Sequence, residues 1–154
     1  MRSACRAQVA NLSLLLECGA APDFENALGI TALMAAVGAG NVDAVVALLE
    51  FGASCNYESK TGETAFSVAT AAGNREVMNT LLARGANAFH QNKHGLAPLA
   101  EAVAKGDEKA MADLFSVGVD PNFVMDDGNT MLMYAARSGK VRYDRPLNSG
   151  LWRV

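Results

Sequence analysis

The chain has 154 residues, with 51% hydrophobic and 6% aromatic residues and a formal charge of −3 at pH 7. That length suits one ordinary domain, and an apolar but aromatic-poor composition suits short, closely packed helices better than a β-sandwich. The slightly acidic balance offers no basic field for nucleic acid and no polybasic patch for anionic lipid, so neither partner is expected.

At the N-terminus, Arg2 and the run Leu14-Leu15-Leu16 have the outline of a signal peptide. Asn11, Ser13 and Glu17 interrupt it, so export is not expected. No apolar run reaches the ~18–20 residues of a membrane-spanning helix. Cys5, Cys18 and Cys55 are odd in number and include no Cys-x-x-Cys pair. A disulfide framework or zinc site is therefore disfavoured, and reduced thiols point to the cytoplasm, with the nucleus as alternative.

Three glycine series then run in phase. Gly29, Gly62, Gly95 and Gly128 are spaced by 33 residues, as are Gly40, Gly73, Gly106 and Gly139, and again Gly19, Gly52, Gly85 and Gly118. A fixed period of that size marks a stacked-repeat architecture.

The same grammar recurs in each unit. Thr31 is placed to cap a short helix through Leu33, Ala35, Ala36 and Val37. Gly40 stops that helix, and Asn41 caps a second one over Val42 to Phe51, with Val45, Leu48 and Leu49 on one face. Gly52 ends it, and Ala53 to Thr61 form a turn or hairpin to the next unit. Thr64, Phe66, Gly73-Asn74 and Leu81-Leu82 repeat the scheme, followed by Pro98, Leu99, Gly106-Asp107 and Leu114-Phe115. Ala97 replaces the capping Thr, with Pro98 at a first-turn position that proline tolerates. The fourth unit starts with Thr130 and Leu132.

The ends depart from the scheme. Leu15, Leu16 and Gly19 align with Leu48, Leu49 and Gly52, so a helix from about Arg6 to Cys18 is a second helix without its first. Lys140 replaces the Asn or Asp cap, and Pro146 falls where the last second helix should be, which costs about 3 kcal/mol or more. The expected division is a partial first repeat at 1–22 (second helix only), repeats at 23–58, 59–91 and 92–124, a partial repeat at 125–141 and an irregular tail at 142–154. Leu151 and Trp152 are the residues available to cover the last helix.

These motifs resemble the ankyrin-repeat family from about Arg6 to Val141. The starts are Thr31-Ala32-Leu33-Met34, Thr64-Ala65-Phe66-Ser67, Ala97-Pro98-Leu99-Ala100 and Thr130-Met131-Leu132-Met133. The unit ends are Gly52-Ala53-Ser54-Cys55-Asn56, Gly85-Ala86-Asn87-Ala88-Phe89 and Gly118-Val119-Asp120-Pro121-Asn122. The resemblance implies an all-α solenoid of stacked helix-turn-helix units joined by hairpin-like turns. Met34, Ser67, Ala100 and Met133 replace the family histidine, and Phe89 replaces an Asn that closes the hairpin. Those losses count against high stability but not against the fold.

The resemblance also implies a non-catalytic module that binds one or more partner proteins through hairpin tips and the concave face of the first helices. Carried over by position, the contact residues are Leu28, Ile30, Tyr57, Glu58, Lys60, Glu63, Lys93, His94, Leu96, Lys105, Asp126, Asp127, Asn129 and Arg137. Against this stands the reading that they are solvated turn residues. Lys60, Lys93 and Lys105 make the middle of the surface basic, while Asp126 and Asp127 make its end acidic.

His90 and His94 are four apart but fall in a predicted hairpin with no completing ligand, so no metal is expected. Asp126-Asp127-Gly128-Asn129 lacks the alternate ligands and closing Glu of a calcium loop. With no Walker loop, serine elbow or carboxylate pair, no cofactor and no enzymatic activity are expected. Met34, Met78, Met111, Met131 and Met133 read as core filling, and Met125, in a hairpin, as a candidate exposed contact. A monomer is expected, with end-to-end self-association as the alternative. The competing functional reading is a regulatory or targeting segment of a larger ankyrin-repeat enzyme or channel.

Overall fold

The structure is a computed structural model that describes residues 2–93 and 95–138, with side chains for residues 10–93 and 95–137. His94, Gly139, Lys140, Val141 and the tail at 142–154, with Pro146, Leu151 and Trp152, lie outside the described residues.

Eight helices follow in order among the described residues: α1 (Arg2–Glu17), α2 (Ala32–Gly38), α3 (Val42–Glu50), α4 (Ala65–Ala71), α5 (Arg75–Ala83), α6 (Pro98–Lys105), α7 (Glu108–Ser116) and α8 (Met131–Ser138). An isolated antiparallel bridge joins Val124 to Thr130. The helices form two stacked layers. In one, α2 packs on α4, α4 on α6 and α6 on α8; in the other, α1 packs on α3 and α3 on α5. The pairs α2–α3, α4–α5 and α6–α7 tie the layers together. The fold is an all-α solenoid of stacked helix pairs, as the resemblance implies.

Cap chemistry sets most helix starts. Thr31 Oγ1 accepts from Met34 N, and Asn41, Asn74 and Asp107 each accept, through Oδ1, from the backbone N–H three residues on. Each such cap satisfies one orphan donor and is worth ~1 kcal/mol. Ala97 makes no side-chain cap, and Pro98 occupies the first turn instead. The Thr64 cap is reciprocal: Ser67 N donates to Thr64 Oγ1 while Thr64 N donates to Ser67 Oγ. Ser67 therefore completes a capping box in place of the histidine it replaces.

Between the layers lies one apolar core. Leu33, Val37, Val45, Leu48, Phe66, Val77, Met78, Leu81, Leu99 and Leu114 are all 1% exposed or less. Each contributes about 1.5–3 kcal/mol of burial free energy.

Several features differ from expectation. α1 begins at Arg2 rather than Arg6, because Ser3-Ala4-Cys5 contains no Gly or Pro to stop it. It ends at Glu17, where Gly19 at φ 93° lets Gly19 N reach Leu16 O and Ala20 N reach Leu15 O, both at 3.0 Å. Met125 is not an exposed contact but a core residue, 5% exposed. Met133, expected in the core, is 53% exposed, and Leu132 beside it is 81% exposed, because no described element packs on that side of α8. Phe89, in the place of the family's Asn, stacks its ring on Phe123 with centroids 4.4 Å apart.

Candidate partner-binding surface

One position recurs in each hairpin at the 33-residue spacing, at Asn26, Ser59, Asn92 and Met125. Asn26 Oδ1 accepts from Leu28 N and Ile30 N at 2.9 and 3.1 Å. Ser59 Oγ accepts from Thr61 N and Glu63 N, and Asn92 Oδ1 accepts from Leu96 N at 3.1 Å. Met125 holds this position in the last hairpin and cannot accept. There, backbone bonds remain, from Met125 N to Asn129 O and from Gly128 N to Met125 O. Ser59, at the same position, is buried as Met125 is, at 4% and 5% exposed.

Backbone contacts tie successive tips together. Lys60 N donates to Leu28 O at 3.2 Å, and Lys93 N donates to Thr61 O at 3.4 Å. The approach is close enough that a Cβ on Gly29 would lie 2.6 Å from Lys60 N, and one on Gly62 would lie 2.7 Å from Lys93 N. Only glycine fits there, for reasons of space as well as of positive φ. At Gly95 the nearest atom to such a Cβ is Gln91 Oε1, at 3.8 Å.

The positions expected to contact a partner fall into distinct settings. Leu28 is 67% exposed at the first tip, whereas Ile30 and Leu96 are half-buried against the core. Tyr57 is half-buried too, and its hydroxyl donates to Glu25 Oε2. That bond to a carboxylate, aided by the nearby Glu25 and Asp23 charges, holds the Tyr57 phenol above its ordinary pKa. Glu58 Oε1 lies 3.4 Å from His90 Nε2. Glu63 is exposed, and its carbonyl accepts from Ser59 N.

The three lysines are not alike. Lys60 Nζ donates to Ala27 O at 2.7 Å, and Lys105 Nζ pairs with Glu101 Oε1 at 2.7 Å, one helical turn away. Lys93 is exposed at its tip. Lys105 and Glu101 border a shallow groove between α4 and α6, floored by Ser67, Thr70 and Ala102.

At the far end Asp126, Asp127 and Arg137 are exposed and Asn129 is half-buried. Asn129 donates to Asp127 twice, from its backbone N at 2.9 Å and from Nδ2 at 2.7 Å. These bonds, with a smaller contribution from the Arg137 charge, hold the Asp127 carboxyl below its ordinary pKa. The fold thus brings Asp127, Asn129 and Arg137 to one corner.

One series escaped the sequence reading. Phe24, Tyr57, His90 and Phe123 share a position at the 33-residue spacing, all with rings. Tyr57, His90 and Phe123 each lean on the unit before, against Glu25, Glu58 and Phe89 respectively. Phe24, with no described hairpin before it, is 82% exposed. The signal was present in the spacing and was masked by the change of residue type.

No helix among the described residues is long and apolar enough to cross a membrane. No curated protein matches the sequence closely enough to count as a relative. A family model described as ankyrin repeats in three copies matches residues 1–92 and again residues 68–143. With the glycine-closed helix pairs and stacked hairpins, that match shows that the chain belongs to the ankyrin-repeat family, whose arrays are in general protein–protein interaction modules.

Proposed function

We propose that this array grips a partner protein across its hairpin tips and the groove between α4 and α6. The observation that carries the reading is the bonding of tip to tip, Lys60 N to Leu28 O and Lys93 N to Thr61 O. It presents exposed side chains from a pre-ordered strip, so little backbone entropy is lost on association. Along that strip Lys60 and Lys93 are followed by Asp126 at the same position of the next unit. The partner surface this fits is acidic over the middle tips and basic over the last one.

The test is capture by the immobilised chain, with bound proteins identified by mass spectrometry, repeated with a Lys93→Glu, Lys105→Glu variant. Both side chains are exposed, so circular dichroism should show an unchanged fold. Loss of the captured protein from the variant supports the reading. Equal capture by both chains, for every protein retained, sinks it.

A further inference from the structure

In the groove between α4 and α6 the repetition of the array breaks toward polarity. Thr70 stands where the neighbouring first helices carry Val37 and Val103, and Ser67 where they carry Met34 and Ala100. Ser67 is accounted for by its capping box with Thr64. Thr70 caps nothing and is 6% exposed, a buried hydroxyl where valine serves the adjoining units. On the α6 wall Glu101 holds the position of Val68. The matching positions between α2 and α4 are Met34, Val37 and Val68, all apolar, so the polar lining belongs to this one groove among the described pairs of α2, α4 and α6.

The hydrogen bonds decide what that lining offers. Ser67 Oγ donates to Thr64 O at 2.9 Å, and Thr70 Oγ1 donates to Phe66 O at 3.0 Å. Each hydroxyl has committed its one proton to its own helix and keeps lone pairs only. Glu101 and Asp107 add carboxylates, which accept and do not donate. Lys105 is the lining residue with a free-standing cation, and its Nζ is held on Glu101 Oε1 at 2.7 Å with 59% of the side chain exposed. Two carboxylates and one ammonium leave the groove with one uncompensated negative charge. Its volume is about 70 Å³, room for one side-chain head. A drug-sized ligand needs roughly 300 Å³ or more.

The geometry points to an arginine side chain of the partner as the occupant, its guanidinium seated between the α4 hydroxyls and the Glu101 carboxylate. This rests on the proposed grip of a partner across the same groove. A guanidinium carries five donors in a planar fork and no acceptor, so it can bond both walls at once. An ammonium concentrates its donors at one point, and an amide brings an acceptor that the groove cannot satisfy.

Titration of the full chain with N-acetyl-arginine amide, followed by backbone amide shifts in NMR, tests this. Shifts at Ser67, Thr70, Glu101 and Ala102 should saturate. N-acetyl-citrulline amide, nearly the same shape without the charge, should bind about tenfold more weakly. N-acetyl-lysine amide should also bind more weakly than the arginine probe. Thr70→Val, which restores the residue of the adjoining units, should weaken the arginine probe about 3- to 10-fold, and Glu101→Gln about tenfold. The exposed Glu101 variant keeps the test open if Thr70→Val disturbs the fold. Absence of saturable shifts in the groove overturns the inference, as does a citrulline or lysine probe that binds as tightly. Native affinity in a folded Thr70→Val or Glu101→Gln chain overturns it too. Capture of a partner that depends on Lys93 and Lys105 can persist under any of these results, so failure of the occupant and failure of the grip are told apart.

Discussion

The ring of Phe89 stacks on that of Phe123, centroids 4.4 Å apart and planes inclined by 27°. One unit earlier Asn56 holds the place of Phe89. It donates to Gly85 O at 3.0 Å and accepts from Asn87 N at 2.7 Å, tying one unit to the next. Phe89 can do neither, and an aromatic contact takes over that joint. The double-mutant cycle of Phe89→Ala and Phe123→Ala should give a coupling of about 0.5–1.5 kcal/mol. Additive losses in urea melts would show that the rings merely adjoin.

Arg75 crosses from α5 to α7, where its Nε donates to Asp113 Oδ1 at 3.1 Å and its Nη2 reaches the same oxygen. The Asp113 side chain is 4% exposed and that of Arg75 is 56% exposed. Removing the arginine strands a buried carboxylate, whereas removing the aspartate leaves a cation that water can solvate. Arg75→Ala should therefore cost about 2 kcal/mol, below the value for a fully dry pair, and Asp113→Ala about 1 kcal/mol or less. Chemical denaturation of both variants checks the order, and equal costs would contradict it.

Gly62 and Gly85 have nearly the same φ, 81° and 84°, but different surroundings. A Cβ at Gly85 meets nothing within 4 Å, while one at Gly62 would meet Lys93 N at 2.7 Å. Gly85→Ala should cost only the left-handed strain, about 1–2 kcal/mol. Gly62→Ala should add about 1–3 kcal/mol of overpacking and push the second and third tips apart. Comparable midpoints for the two variants would refute the distinction.

The Asp127 carboxyl is stabilised in its ionised form by the Asn129 donors, so its folded pKa lies below the unfolded value of 3.8. Its contribution is present above 3.8 and is lost as pH falls through the lower, folded value. The stability gap between the native chain and Asp127→Ala should be constant near neutrality and shrink in acid. Urea melts across that range provide the check, and a gap that grows in acid would reverse the assignment.

Helix starts and stops could be read from the sequence because their causes lie within a few residues. Thr31, Asn41, Asn74 and Asp107 bond to an N–H three positions on, and glycines such as Gly19 turn the chain at once. The stacking of hairpins was likewise written into the glycine spacing. What could not be read depends on distant partners. Arg75 and Asp113 are 38 residues apart. The exposure of Leu132 and Met133 depends on what lies against α8, which a helical pattern alone does not reveal. Met125 misled because hairpin residues are ordinarily wet. Its burial became evident only beside Ser59, which holds the same position two units earlier and is buried too.

The tip-to-tip bonds also give the molecule a built-in gauge. Lys60 and Lys93 are exposed, yet their backbone amides are held by the neighbouring hairpin, through Leu28 O and Thr61 O. Solvent deuterium reaches the Lys60 amide when the first and second tips part, and the Lys93 amide when the second and third do. Two surface amides thus time the opening of two successive joints independently.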